Sequence, residues 1–266
     1  MIDNLCCDCI TNRVLIIGVY LLDVPNHAVA ITDALRRTKD WEIDIRWVAA
    51  GCGSIPSQLE EVTVRRTEKI VPKFSMLNQV IDSIDINQFQ YIIVIDDDIE
   101  LDNQFLDFYL WLQGKIDLAL AQPARTPDSY IDHPFVTQLP GIGARHTRFV
   151  EIGPLFSIRR DIYPLIIPFD DHTPMGWGLD YYWPHLLERL GYRLGIIDAT
   201  PVRHSLRPPV SLYGYQEVAN EMTQFLSTHE HLSEEEAFTN IQCYPLRPPP
   251  GLIKPPILHH RRRSPA

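Results

Sequence analysis

Near-continuous apolar runs alternating with segments of helical periodicity constrain this chain most. "RVLIIGVYLL" (13–22), "IDIRWVAA" (43–50) and "YIIVID" (91–96) are short and rich in β-branched residues, which reads as buried strand. Between them, "HAVAITDALRRT" (27–38) predicts a helix capped near Asn26, and "VPKFSMLNQVIDSI" (71–84) carries apolar residues at helical spacing. Strands buried on both faces and joined by helices build a mainly parallel sheet covered by those helices. Further on, "LDNQFLDFYLWLQG" (101–114) predicts a helix capped by Asp102 and stopped by Gly114, and "DLALAQPA" (117–124) returns to strand. After a loop bearing Pro and Asp come a strand "RFVEIGPLFSI" (148–158), a helix "LDYYWPHLLERLG" (179–191) and a strand "YRLGIID" (192–198).

At 266 residues and 45% hydrophobic content, one α/β domain over residues 13–243 accounts for the chain. Residues 1–12 read as a disordered stub. Residues 244–266, with seven of the 22 prolines and a terminal "HHRRRSPA", read as a disordered basic tail. A net charge of -10 repels phosphate backbones and anionic lipid, which argues against nucleic acid as a partner. The five cysteines, three of them in "CCDC" at 6–9, give no disulfide framework. Cys6 and Cys9 have the spacing of a zinc or redox pair but lack a second such pair. No run approaches the roughly 20 apolar residues of a membrane span, and no basic-then-apolar leader opens the chain. These features predict a cytoplasmic protein without a transmembrane segment.

The run "YIIVIDDDIEL" ends a buried strand in Asp96, Asp97 and Asp98. Repulsion and desolvation both disfavour three such charges, and a divalent cation relieves both. In extended backbone Asp96 and Asp98 share a face and Asp97 points away. The alternative is that strand ends favour Asp because its side chain bonds nearby amides.

In "MGWGLDYYWP", Gly176 and Gly178 flank Trp177, whose indole offers a face to a sugar ring. Asp180 then falls at a helix start, where the macrodipole favours the ionised form that a general base needs. A loop anchored by a core tryptophan would give the same pattern. "IIDATPVRHS" carries His204, an imidazole able to join Asp98 on a metal or to serve structure alone. Lys73, Arg145 and Arg148 are cations that could face a diphosphate.

The ordered set of apolar strand plus Asp-Asp-Asp, "FVEIGPLFSIRRDIY", "GWGLDYYWP" and "GIIDATPVRHS" resembles the GT-A superfamily of nucleotide-sugar glycosyltransferases over about residues 13–206. The resemblance implies a single Rossmann-related α/β domain with a Mn2+ or Mg2+ cofactor. It also implies a nucleotide-diphosphate sugar as donor and a hydroxyl acceptor. Asp96 and Asp97 would serve the donor, with Asp98 and His204 on the metal. Tyr20 and Asp23 occupy the place that holds the nucleoside, with Lys73 on the diphosphate. Glu151, Gly176, Trp177 and Gly178 would face the acceptor, and Asp180 would be the base of an inverting reaction. The related block of inverting galactosyltransferases has a pair of acids where this chain has Leu179 and the single Asp180, so Glu151 and Asp171 are the alternative bases. A haloacid-dehalogenase-type phosphatase also ends a strand in D-x-D, but its acids lie in the first strand and Thr or Val stands where this chain has Glu100. A non-catalytic sugar-nucleotide or glycan-binding module would keep the Asp cluster and need no base.

Overall fold

The computed structural model describes residues 12–69, 71–208 and 214–246. Its strands are β1 (Arg13–Leu21), β2 (Glu42–Ala50), β3 (Thr63–Thr67), β4 (Tyr91–Asp96), β5 (Ile99–Glu100), β6 (Leu120–Arg125), β7 (Ile142–Thr147), β8 (Leu155–Arg159), β9 (Leu194–His204) and β10 (Asn240–Pro245). The helices are α1 (Ala28–Leu35), α2 (Lys73–Ile81), α3 (Phe105–Lys115), α4 (Tyr163–Ile166), α5 (Leu179–Arg189), α6 (Tyr215–Thr228) and α7 (Glu234–Ala237). The strands form one sheet in the order β10-β7-β9-β6-β8-β4-β1-β2-β3, with β5 paired to β9 off this path. Along the path only β7 and β8 run against the others. The expected α/β domain with a mainly parallel sheet is therefore present.

Both faces of the sheet are buried, which is why β1 and β4 read as unbroken apolar runs. Val14, Ile16 and Tyr20 face one core with residues of α1 and α3, and Leu15 and Ile17 face a second with residues of α2 and α5. Each fully buried Leu, Ile, Val or Phe contributes roughly 1.5–3 kcal/mol relative to exposure, so the strands are held from both sides.

Four local expectations differ from the structure. α3 starts at Phe105 with Gln104 as cap, because the Asp102 carboxylate is spent on the Gln104 amide at 3.0 Å. Gly114 lies inside that helix, which ends after Lys115, just before the left-handed Asp117. Of the strand predicted over 148–158 only Leu155–Arg159 pairs, and the preceding residues form a loop that carries Glu151 to the strand ends. The last predicted strand runs on past 198 to His204, because Arg125 of β6 pairs with Val202 and β5 pairs with Arg203 and His204.

The expected tail boundary also needs correction. Tyr244 and Pro245 belong to β10, which pairs with β7, and the Tyr244 hydroxyl accepts from Arg193. The remainder of the predicted tail and nearly all of the predicted stub lie outside the described residues. Among the described residues, no helix is long and apolar enough to cross a membrane.

Candidate active site

At the carboxyl ends of β1 and β4 a cleft of about 760 Å³ opens, the usual place for a ligand in an α/β sheet. β4 ends at Asp96 and the chain turns through Asp97 and Asp98, so strict strand alternation stops before the triplet is complete. Asp96 is ion-paired with Lys73 Nζ at 2.6 Å, the first residue of α2. Asp97 is buried; one oxygen accepts from the Leu21 amide at 2.7 Å and the other pairs with Arg207. It thereby ties the ends of β1 and β4 together. Burial pushes its pKa up to about 7, against the opposing charge of Arg207.

Asp98 Oδ2 lies 3.2 Å from His204 Nε2 and 3.0 Å from Arg207 Nη2. Burial acts to raise its pKa, but the hydrogen bond from His204 and the Arg207 charge outweigh it and hold the group below the usual carboxylate range. The other nitrogen of the ring, Nδ1, faces Arg125 Nη1 at 3.1 Å. A guanidinium only donates, so Nδ1 accepts and Nε2 carries the proton toward Asp98. Arg125, itself buried, also donates to Glu151 and to the Gly153 carbonyl. An unbroken polar chain therefore runs from Glu151 through Arg125, His204, Asp98 and Arg207 to Asp97.

Asp98 and His204 suit a divalent cation in separation, and His204 Nε2 would have to give up the proton it directs at Asp98 before it could serve as a ligand. Two ligands at about 2.1 Å on adjacent octahedral positions stand about 3 Å apart, against the 3.2 Å found here. No third His, Cys, Asp or Glu joins them among the described residues, so substrate oxygens and water would complete the shell. Arg207 holds the same Asp98 oxygen and would have to yield it.

α5 supplies the other part of the site. Gly176 and Gly178 both take positive φ, at 88° and 94°, and Gly178 caps the helix. A side chain at Gly176 would collide with the Phe74 ring and with Ile152. The turn leaves Asp180 in the first turn of α5, lining the cleft, 8% exposed and with Oδ1 unpartnered among the described residues. Burial first, and the nearby Glu151 charge second, raise its pKa to about 7. The macrodipole was expected to favour the ionised form; desolvation outweighs it. Burial likewise raises Glu151, against the Arg125 charge.

Asp96, Asp97, Asp98, Lys73, Glu151, Trp177, Gly178, Asp180 and His204 all line the cleft, as the sequence suggested. Tyr20 and Asp23 do not. Tyr20 is wholly buried with its hydroxyl 2.9 Å from Thr63 Oγ1, and Asp23 accepts from the Cys52 and Gly53 amides at 2.9 and 2.8 Å. Gly176 is packed behind the cleft wall, and Asp171 is exposed outside it. Arg145 is buried against Asp198 and Arg148 pairs with Glu188, so neither faces a diphosphate. Arg125 and Arg207 escaped the sequence reading, although Arg207 stands three residues after His204.

The fold is similar to part of GalNAc-T7. A structure of that protein with UDP, GalNAc and Mn2+ superimposes with a TM-score of 0.53 at 12% sequence identity, covering 78% of this chain and 47% of GalNAc-T7. This chain thus spans less than half the length of the protein it resembles, and at that identity the likeness is one of fold. No protein-family model and no curated protein matches the chain by sequence.

Proposed function

We propose that this chain is a metal-dependent glycosyltransferase that moves a sugar from a nucleotide-diphosphate donor to an acceptor hydroxyl with inversion. The observation that carries the reading is Asp180. It is a buried carboxylate with an unpartnered oxygen, in the cleft whose strand end gathers Asp96, Asp97, Asp98 and His204. The GalNAc-T7 structure, with UDP and Mn2+, supports it at the level of fold.

In this reading Asp98 and His204 hold Mn2+ or Mg2+, which supplies the charge that makes a diphosphate a competent leaving group. Asp96 and Lys73 bind the donor, and Asp97 supports them from beneath through Leu21. The acceptor oxygen bonds to the sugar C1 as the bond from C1 to the diphosphate oxygen breaks and its electron pair leaves with the diphosphate. The acceptor proton passes to Asp180 Oδ1. A carboxylate with a pKa near 7 is ionised in part at neutral pH and is a stronger base than an ordinary one. One displacement of this kind inverts the anomeric centre.

The decisive test is donor hydrolysis across a panel of nucleotide sugars, with Mn2+ and with chelator. Metal-dependent turnover of at least one donor is expected. No turnover and no metal-dependent nucleotide binding would overturn the reading, and nucleotide binding unaffected by Asp180→Asn with no turnover in either protein would favour a binding module.

A further inference from the structure

Charge divides the cleft. Its permanent cations among the described residues, Lys73, Arg125 and Arg207, are all paired: with Asp96, with Glu151, and with Asp97 and Asp98. The rim supplied by the β6–β7 connection and by α6 carries Asp132, Glu217 and Glu221, and none of these has an ion-pair partner among the described residues. On the same rim Trp177 and Tyr215 meet edge to face with centroids 5.3 Å apart. Tyr215 is 62% exposed, so its ring contributes little to the core.

Ring faces beside carboxylates fit a pyranose, whose C–H face packs on the rings while its hydroxyls donate to the acids. An anionic group there would meet like charges with no free cation to offset them. Asp180 lines the same cleft and its buried Oδ1 has no partner among the described residues, so a hydroxyl donor reaching it would satisfy the one buried acceptor left unpaired there. We infer that the acceptor is an uncharged sugar seated on the Trp177–Tyr215 corner, with Glu217 and Glu221 accepting its outer hydroxyls. Its role as acceptor rests on the glycosyltransferase reading; the seat itself does not.

Saturation-transfer NMR on the full chain tests this with methyl β-galactoside, methyl N-acetylglucosaminide, methyl glucuronide and a Ser/Thr peptide, each with UDP and Mn2+ present. The two neutral glycosides should bind and the glucuronide should not. Tyr215→Ala should weaken the neutral glycosides about tenfold with the Tm unchanged, since the ring is exposed. Glu221→Gln keeps an acceptor but removes a charge, and should let the glucuronide bind. Equal binding of glucuronide and neutral glycosides to the unaltered chain, binding of the peptide alone, or no glycoside binding would overturn the inference. Metal-dependent UDP binding in the same samples separates the two readings: UDP bound without any glycoside sinks only the sugar seat, and glycosides bound without UDP sink only the donor reading.

Discussion

His204 Nε2 stands 3.2 Å from Asp98 Oδ2, bringing the end of β9 onto the turn that follows β4. The contact depends on β5, whose Ile99 pairs with His204. Arg125 fixes the ring from behind, so this carboxylate and imidazole are positioned before any ligand arrives.

Asp98→Asn should therefore weaken metal-dependent UDP binding by tenfold or more while leaving binding in chelator unchanged. The substitution removes one of the two side chains suited to the cation and the charge that attracts it. Calorimetry with Mn2+ and with EDTA measures both. Equal affinity of variant and parent in Mn2+ would remove Asp98 from the metal site.

Asp180→Asn should lower turnover by ~100-fold to ~10,000-fold, the usual contribution of a general base, with UDP affinity little changed. Initial rates with the donor identified in the panel provide the check. Retained activity would move the base to Glu151, the alternative base that also lines the cleft.

The same variant makes a prediction about stability. Burial raises the folded pKa of Asp180 from 3.8 to about 7, so the folded state binds this proton more tightly than the unfolded state does. That contribution is complete below the unfolded pKa and is lost as pH rises toward 7. Asp180→Asn should thus match the parent near pH 4 and exceed it in stability above pH 7, by at most a few kcal/mol. Denaturant melts from pH 4 to 8 test the sign, and a parent that remains the more stable at pH 8 would contradict it.

Away from the chemistry, Arg145 and Asp198 are 1% and 0% exposed and share a bidentate pair at 2.9 and 3.1 Å. Arg145 also donates to the Phe135 and Thr137 carbonyls, holding the β6–β7 connection that brings Asp132 and His133 to the cleft. Arg145→Met leaves Asp198 buried without its counter-charge and should cost about 3–5 kcal/mol. Thermal melts should show a fall of roughly 10 °C. Adding Asp198→Asn should recover part of the loss.

The parallel half of the sheet was legible because its signal is local. Each of β1, β2 and β4 is an apolar run whose neighbours in sequence are helices, and burial on both faces erases the polar alternation. The Asp triplet and the Gly-Trp-Gly turn were legible for a similar reason, since three carboxylates in a row and two glycines flanking a tryptophan are each local patterns that a strand or helix interior disfavours. The edge strands β3 and β10, and β7 beside β10, carry no comparable run, and β7 and β10 pair with partners far away in the chain.

Sequence alone determined that this chain builds a mainly parallel α/β sheet with an acid cluster at the end of β4 and a single acid at the start of α5. Tertiary structure decided which residues share the cleft and in what protonation state. Tyr20 and Asp23 follow the first strand as a nucleoside site would require, yet packing turns one into the core and the backbone of the 51–53 loop occupies the other. Arg125, Arg207 and Glu151 reach the site from separate elements, and no spacing in the chain encodes that meeting. For Asp180 the helix position alone argues for ionisation, whereas desolvation depends on everything packed around the carboxylate. Desolvation exceeds the macrodipole and exists only once the chain has folded.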